Sequence, residues 1–145
     1  MGQEADPIIS WQHIHGASTH FPIALLAVSL FFDIGALVFR QTSWRTVAFY
    51  TLLLGALATI PASLSGLTGG NGWFGNEPWT SGPINNHRLI SLITSGVALI
   101  LALWRGLRRD NLQKGAFVVY LILMLFAVVG VGYAGWLGAY VAGVY

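Results

Sequence analysis

From Gly115 to Tyr145 the chain carries no charged side chain. A wholly helical segment of that length would run to about 45 Å at ~1.5 Å per residue, which exceeds the ~30 Å hydrocarbon core of a bilayer. Three further apolar runs precede it. They extend from about Phe21 to Phe39, broken only by Asp33, from about Thr46 to Leu64 with Pro61 near the end, and from about Leu89 to Trp104. A membrane crossing needs roughly 20 mostly apolar residues, so each run predicts one span. The fourth crossing is expected over about 116–138, ending between Trp136 and Tyr140, with the glycine-rich remainder docked at the membrane surface. The fold class this predicts is all-α: an integral membrane four-helix bundle in a single domain, residues 1–145.

Composition closes off most other classes. Only 8% of the residues are charged, against about a quarter in soluble domains. The absence of cysteine excludes a disulfide scaffold, an iron–sulfur cluster and a Cys-based zinc site. A formal net charge of +2, with the basic residues at the ends of apolar runs, excludes a nucleic-acid-binding stripe.

Lys and Arg are retained on the cytoplasmic side of short loops. Arg40 and Arg45 flank the first connection, Arg105, Arg108, Arg109 and Lys114 lie in the third, and Arg88 alone is on the other side. Both termini and the long connection over 65–86 are therefore expected on the non-cytoplasmic face of a bacterial cytoplasmic membrane. The N-terminus lacks a basic segment and carries Glu4 and Asp6, so it is expected to be retained rather than cleaved. Asp6-Pro7 followed by Ile8, Trp11 and Ile14 predicts a short interfacial helix. Six glycines with Trp73, Phe74 and Trp79 predict a compact, structured cap between the second and third spans.

Helices in lipid associate through small residues. Gly130, Ala134, Gly138 and Ala142 recur every fourth position, with Gly135, Ala139 and Gly143 on the next ridge. Gly55, Thr59 and Ser63 form such a stripe in the second span, and Thr94, Ala98 and Ala102 in the third. Asp33 is the single carboxylate inside a span. It is expected to pair with Arg40 or Arg45 or to cap backbone groups, the alternative being proton handling.

All four histidines, His13, His15, His20 and His87, fall at one end of the expected bundle. His20 opens the first span, and His87 opens the third behind Pro83 and an expected N-capping pair, Asn85 and Asn86. Odd-numbered spans start on the same side, so His20 and His87 can approach at similar depth. Two facing neutral imidazoles are what a low-spin haem iron takes as axial ligands. Ala24 and Ala27 below His20, and Ser91, Thr94 and Ser95 below His87, would leave a slot for a flat ring. Arg88 would meet a propionate, unless it only anchors at head groups. Copper is disfavoured by the placement of Met1 and Met124, and a zinc hydrolase site would have only Glu77 as its acid or base. A cofactor-free interfacial cluster satisfies the same residues.

The segment His15-Gly-Ala-Ser-Thr-His20-Phe-Pro-Ile-Ala-Leu-Leu resembles the opening motif of the bacterial membrane family called domain of unknown function 2231, which reads His-Pro, three residues, then His-Phe-Pro and an apolar helix. Asp33, Thr68-Gly69-Gly70, Gly72-Trp73, His87 and Gly135-Trp-Leu-Gly138 to Tyr145 resemble later features of that family. Gly16 stands where its proline usually follows the first histidine. The resemblance implies a four-helix membrane module, sometimes beside Rieske or cytochrome components, with a haem b or electron-transfer role. Together these observations predict a non-catalytic electron-transfer or anchoring subunit of a respiratory or photosynthetic complex. Haem b would be held by His20 and His87, with Arg88 at a propionate and His15 as a supporting or alternative ligand. The rival expectation is a cofactor-free structural subunit that buries its glycine ridges against larger partners.

Overall fold

The computed structural model describes residues 11–68, 82–108 and 113–143, and these form four helices: α1 (Trp11–Phe39), α2 (Thr42–Thr68), α3 (Pro83–Leu107) and α4 (Lys114–Val141). All four are long and apolar enough to cross a membrane. In hydrocarbon a backbone must satisfy its own hydrogen bonds, and a helix does this within one segment. Large apolar side chains such as Phe31, Ile100, Ile122 and Val129 are accordingly exposed on the outside of the bundle. Its core is built from Leu26, Leu52, Ala98, Leu101, Tyr120 and Met124. The molecule is an all-α membrane bundle.

Helices α2, α3 and α4 overrun the expected spans at both ends, and α1 overruns at its start. Helix α1 is continuous from Trp11 through Gly16 and Pro22, so His13 and His15 belong to the first span itself rather than to a separate interfacial helix. The first ten residues and the expected aromatic cap over 69–81 lie outside the described residues. Helix α3 begins on Gly82 and Pro83 instead of on the expected Asn85–Asn86 cap. Proline is suited to the first helical turn, where its missing N–H would have no partner. Buried Asn85 Oδ1 finds no hydrogen-bond partner among the described residues. Helix α4 runs past the expected end to Val141 because nothing polar interrupts it.

Two residues, Arg40 and Gln41, join α1 to α2, and Arg40 makes the reversal in the left-handed region at φ 53°. Trp44 closes this hairpin: its indole packs against the rings of Phe31, Phe32 and Phe39 at 5.2–6.1 Å and covers Gly35 so closely that a Cβ there would collide with it. The main packing pairs are α1 with α2, α2 with α3, α3 with α4, and α4 with α1. Helices α1 and α3 therefore lie diagonally across the bundle and run in the same direction.

Candidate functional site

The diagonal pair carries the site. His15 on α1 and His87 on α3 meet with ring centroids 6.2 Å apart and planes at 88°. Each ring lies on a glycine of the next helix in its own hairpin. A Cβ on Gly66 of α2 would come within 2.8 Å of His15 Cε1, and one on Gly138 of α4 within 3.0 Å of His87 Cε1. Only a glycine surface lets each imidazole approach so near a helix backbone.

The partners of the two rings fix their protons. His87 Nδ1 is 2.7 Å from the carbonyl oxygen of Ala134, which can only accept, so Nδ1–H is the donor. His15 Nδ1 is 2.9 Å from Ser65 Oγ, and Ser65 donates its own hydrogen to the Ala62 carbonyl at 2.9 Å. The Ser65 oxygen thus accepts from His15 Nδ1–H. Ser18 donates to the His15 carbonyl at 2.8 Å and holds the same turn. In their neutral forms both histidines carry the proton on Nδ1, leaving Nε2 as a lone pair. Metal-bound histidines have this arrangement, the second nitrogen being tied to a carbonyl or another acceptor.

His20 stands elsewhere. It is on the exposed face of α1, five residues after His15, where its Nδ1–H donates to the Gly16 carbonyl of its own helix at 2.6 Å. The expected meeting of His20 with His87 is thus replaced by one of His15 with His87, because five residues along a helix turn the side chain to a different face. His13 is exposed, and Arg88 is buried at the start of α3. Among the described residues no three His, Asp or Glu side chains converge on one point.

The opposite end of the bundle holds a second polar cluster. Asp33 of α1 pairs with Arg105 of α3, both fully buried. Arg105 Nη1 donates to Oδ1 and Oδ2 at 2.9 and 2.7 Å and to the Tyr120 hydroxyl at 2.9 Å, and Tyr120 donates to Oδ2 at 2.7 Å. Arg105 Nη2 reaches the Arg45 carbonyl at 2.9 Å, so all four helices join. The expected partners Arg40 and Arg45 are not the ones used. Arg40 is exposed at the hairpin turn, and the Arg45 guanidinium lies 5.0 Å over the Phe117 ring.

A histidine pair at one end, a buried ion pair at the other and four apolar helices between them describe a membrane module with polar chemistry inside it. The model of the family described as "Predicted membrane protein (DUF2231)" matches residues 12–145. The chain belongs to that family. No curated protein and no solved structure matches it. The match spans both histidines of the central pair and both members of the ion pair.

Proposed function

We propose that this protein is a membrane electron-transfer subunit that holds one haem b between His15 and His87. The observation that carries the proposal is the pairing of two imidazoles from diagonal helices, with ring centroids 6.2 Å apart, each with Nδ1 engaged by an oxygen of a neighbouring helix so that Nε2 is left as the lone-pair nitrogen. Two acceptors cannot bond to each other, so the pair calls for something between them that takes electron pairs. A bare zinc ion would need about four ligands, and the described residues bring only two together. A haem would need only two nitrogen donors from the protein, and His15 and His87 would supply them.

When bound, haem would supply reversible one-electron transfer at the iron. The protein's own part is to hold the imidazoles: Ser65 and the Ala62 carbonyl for His15, the Ala134 carbonyl for His87, and Gly66 and Gly138 beneath the rings. Buried Arg88, next to His87 in sequence, would supply positive charge near the bound group. His20 takes no part as a ligand. The basic residues Arg40, Arg45, Arg108, Arg109 and Lys114 of the two short connections support a non-cytoplasmic location of the histidine pair in a bacterial membrane, where a cytochrome or Rieske partner could exchange electrons with it.

The absorption spectrum of the purified full chain, oxidised and then reduced, tests this. Sharp low-spin bands are expected, lost in His15→Ala and in His87→Ala and retained in His20→Ala. A protein that folds and carries no haem would leave a cofactor-free structural subunit, and loss of haem in His20→Ala alone would move the ligand back to the exposed face of α1.

A further inference from the structure

The two polar clusters share one numerical relation. His15 and His87 are 72 residues apart, as are Asp33 and Arg105. The same interval separates the starts of α1 and α3, Trp11 and Pro83, and those of α2 and α4, Thr42 and Lys114. Burial follows it too: Leu26 and Ala98, Leu52 and Met124, and Thr59 and Val131 are buried pairs at this separation. Few of the paired residues are chemically alike, so the relation is hidden in the sequence and visible in the packing. The chain is two helical hairpins, α1–α2 and α3–α4, whose helix starts, buried positions and polar pairs correspond at this one interval, as an approximate two-fold axis along the bundle would require. Membrane proteins built from parallel repeats have such an axis along the membrane normal and place binding sites where the repeats meet.

Among the few identities under this shift are the parts of the histidine site. His15 matches His87, Ala62 matches Ala134, and Gly66 matches Gly138. Each histidine is linked to the alanine carbonyl 47 residues later in its own hairpin, His87 directly and His15 through the Ser65 hydroxyl, and lies on the glycine four residues beyond that alanine. Elsewhere the halves have diverged freely. Ser65, which stands between His15 and the Ala62 carbonyl, is matched by Leu137, so the His87 ring bonds its carbonyl without an intervening hydroxyl.

We propose that Gly66 and Gly138 are equivalent positioning residues, one in each half of a two-fold pseudo-symmetric chain, and that each sets the Nδ1–H form of its histidine so that the two halves present matched Nε2 lone pairs to one shared ligand. The mechanism is steric. A helix backbone without a side chain lets the imidazole sit close enough for Nδ1–H to reach an acceptor on that helix, and a single methyl group closes the approach. The ligand is a centre that accepts one imidazole from each side, so its loading is one per chain and neither histidine serves without the other. This deepens the haem proposal and rests on it for the identity of the ligand, while the paired cradles are tested separately.

The test uses the full chain in detergent micelles, with nitrogen-15 in its histidines, under reducing conditions. Two-bond nitrogen–proton NMR spectra report which ring nitrogen carries the proton. His15 and His87 are both expected to show it on Nδ1. Gly66→Ala should abolish that signature for His15 alone, and Gly138→Ala for His87 alone. Gly132→Ala, at a position where an added Cβ meets nothing within 4 Å, should change neither. If haem is present, ferric paramagnetic resonance should show the low-spin signal shifted in both cradle variants. Nε2–H protons on either ring in the unsubstituted protein, or a response confined to one of the two glycines, overturns the proposal. A haem-free protein with both Nδ1–H signatures and both glycine responses ends the haem assignment and leaves the paired cradle standing.

Discussion

Arg105 Nη1 lies 2.7 Å from Oδ2 and 2.9 Å from Oδ1 of Asp33, and neither side chain has any exposed surface. These residues occupy equivalent places in the two hairpins. A carboxylate at both places would leave two like charges facing each other in a low-dielectric interior, and so would a guanidinium at both. At these positions the two hairpins carry opposite charges, whereas at the histidine end they carry the same residue. The ion pair is also what ties one hairpin to the other, since Asp33 belongs to the first and Arg105 to the second.

Breaking that pair is expected to cost more than removing it. Asp33→Asn leaves a buried guanidinium without a counter-charge, a change worth about 3–5 kcal/mol, whereas the double variant Asp33→Asn with Arg105→Leu leaves no charge behind and should recover much of the loss. Tyr120→Phe removes one hydrogen bond to the carboxylate and should cost about 1.5–3 kcal/mol. Thermal unfolding of the four proteins in one detergent would measure this. A double variant no more stable than Asp33→Asn would show that the charge itself is not what matters.

The four spans were legible because lipid makes a blunt demand: a run without charge has few alternatives to a helix. Partners were harder. Arg40 and Arg45 are the basic residues near Asp33 in sequence, but a helix carries near residues to its own end, and the face of Asp33 looks across the bundle to α3. His20, not His15, stands at the start of the apolar run. Which of the two turns inward depends on the phase of α1, and with a helix continuous from Trp11 that phase selects His15. One signal was available. The Ala-x-x-x-Gly of Ala62 and Gly66 recurs as Ala134 and Gly138 at the same distance from a histidine, and it singles out His15 and His87.

The stripe of small residues on α4 faces α3, and its members should differ in their tolerance of bulk. A Cβ on Gly130 would collide with the Thr94 side chain, whereas one on Gly132 would meet nothing. Gly130→Ala is expected to lower the unfolding temperature by several degrees and Gly132→Ala to leave it unchanged or raise it slightly, because alanine favours the helix by up to about 1 kcal/mol. Equal melting temperatures for both variants would place Gly130 against lipid.

Topology gives a third expectation. With the Arg105 charge balanced by Asp33 inside the bundle, the basic residues that remain to set orientation are Arg40, Arg45, Arg108, Arg109 and Lys114 at one end and Arg88 at the other. The bias is still strong, and an enzyme reporter fused after Tyr145 should be active on the non-cytoplasmic side. A cytoplasmic reading would reverse the bundle and bring the histidine pair to the inner face.

The last expectation concerns Arg88, which is buried beside His87 in the sequence of α3 and has a glycine, Gly16, as its counterpart in the other hairpin. The charge is thus an addition to one half of an otherwise matched site. Reduction of a haem iron lowers its charge by one, and a nearby cation favours the reduced form, so the midpoint potential should fall when that cation is removed. Arg88→Gln is expected to keep haem loading and low-spin bands while its midpoint potential in a redox titration moves downward. The shift should shrink at high salt only if water reaches the site, and burial of Arg88 argues for a shift that salt leaves almost intact. An unchanged potential with full haem loading would place the Arg88 charge beyond the reach of the iron and leave the imidazoles and their acceptors to set the potential alone.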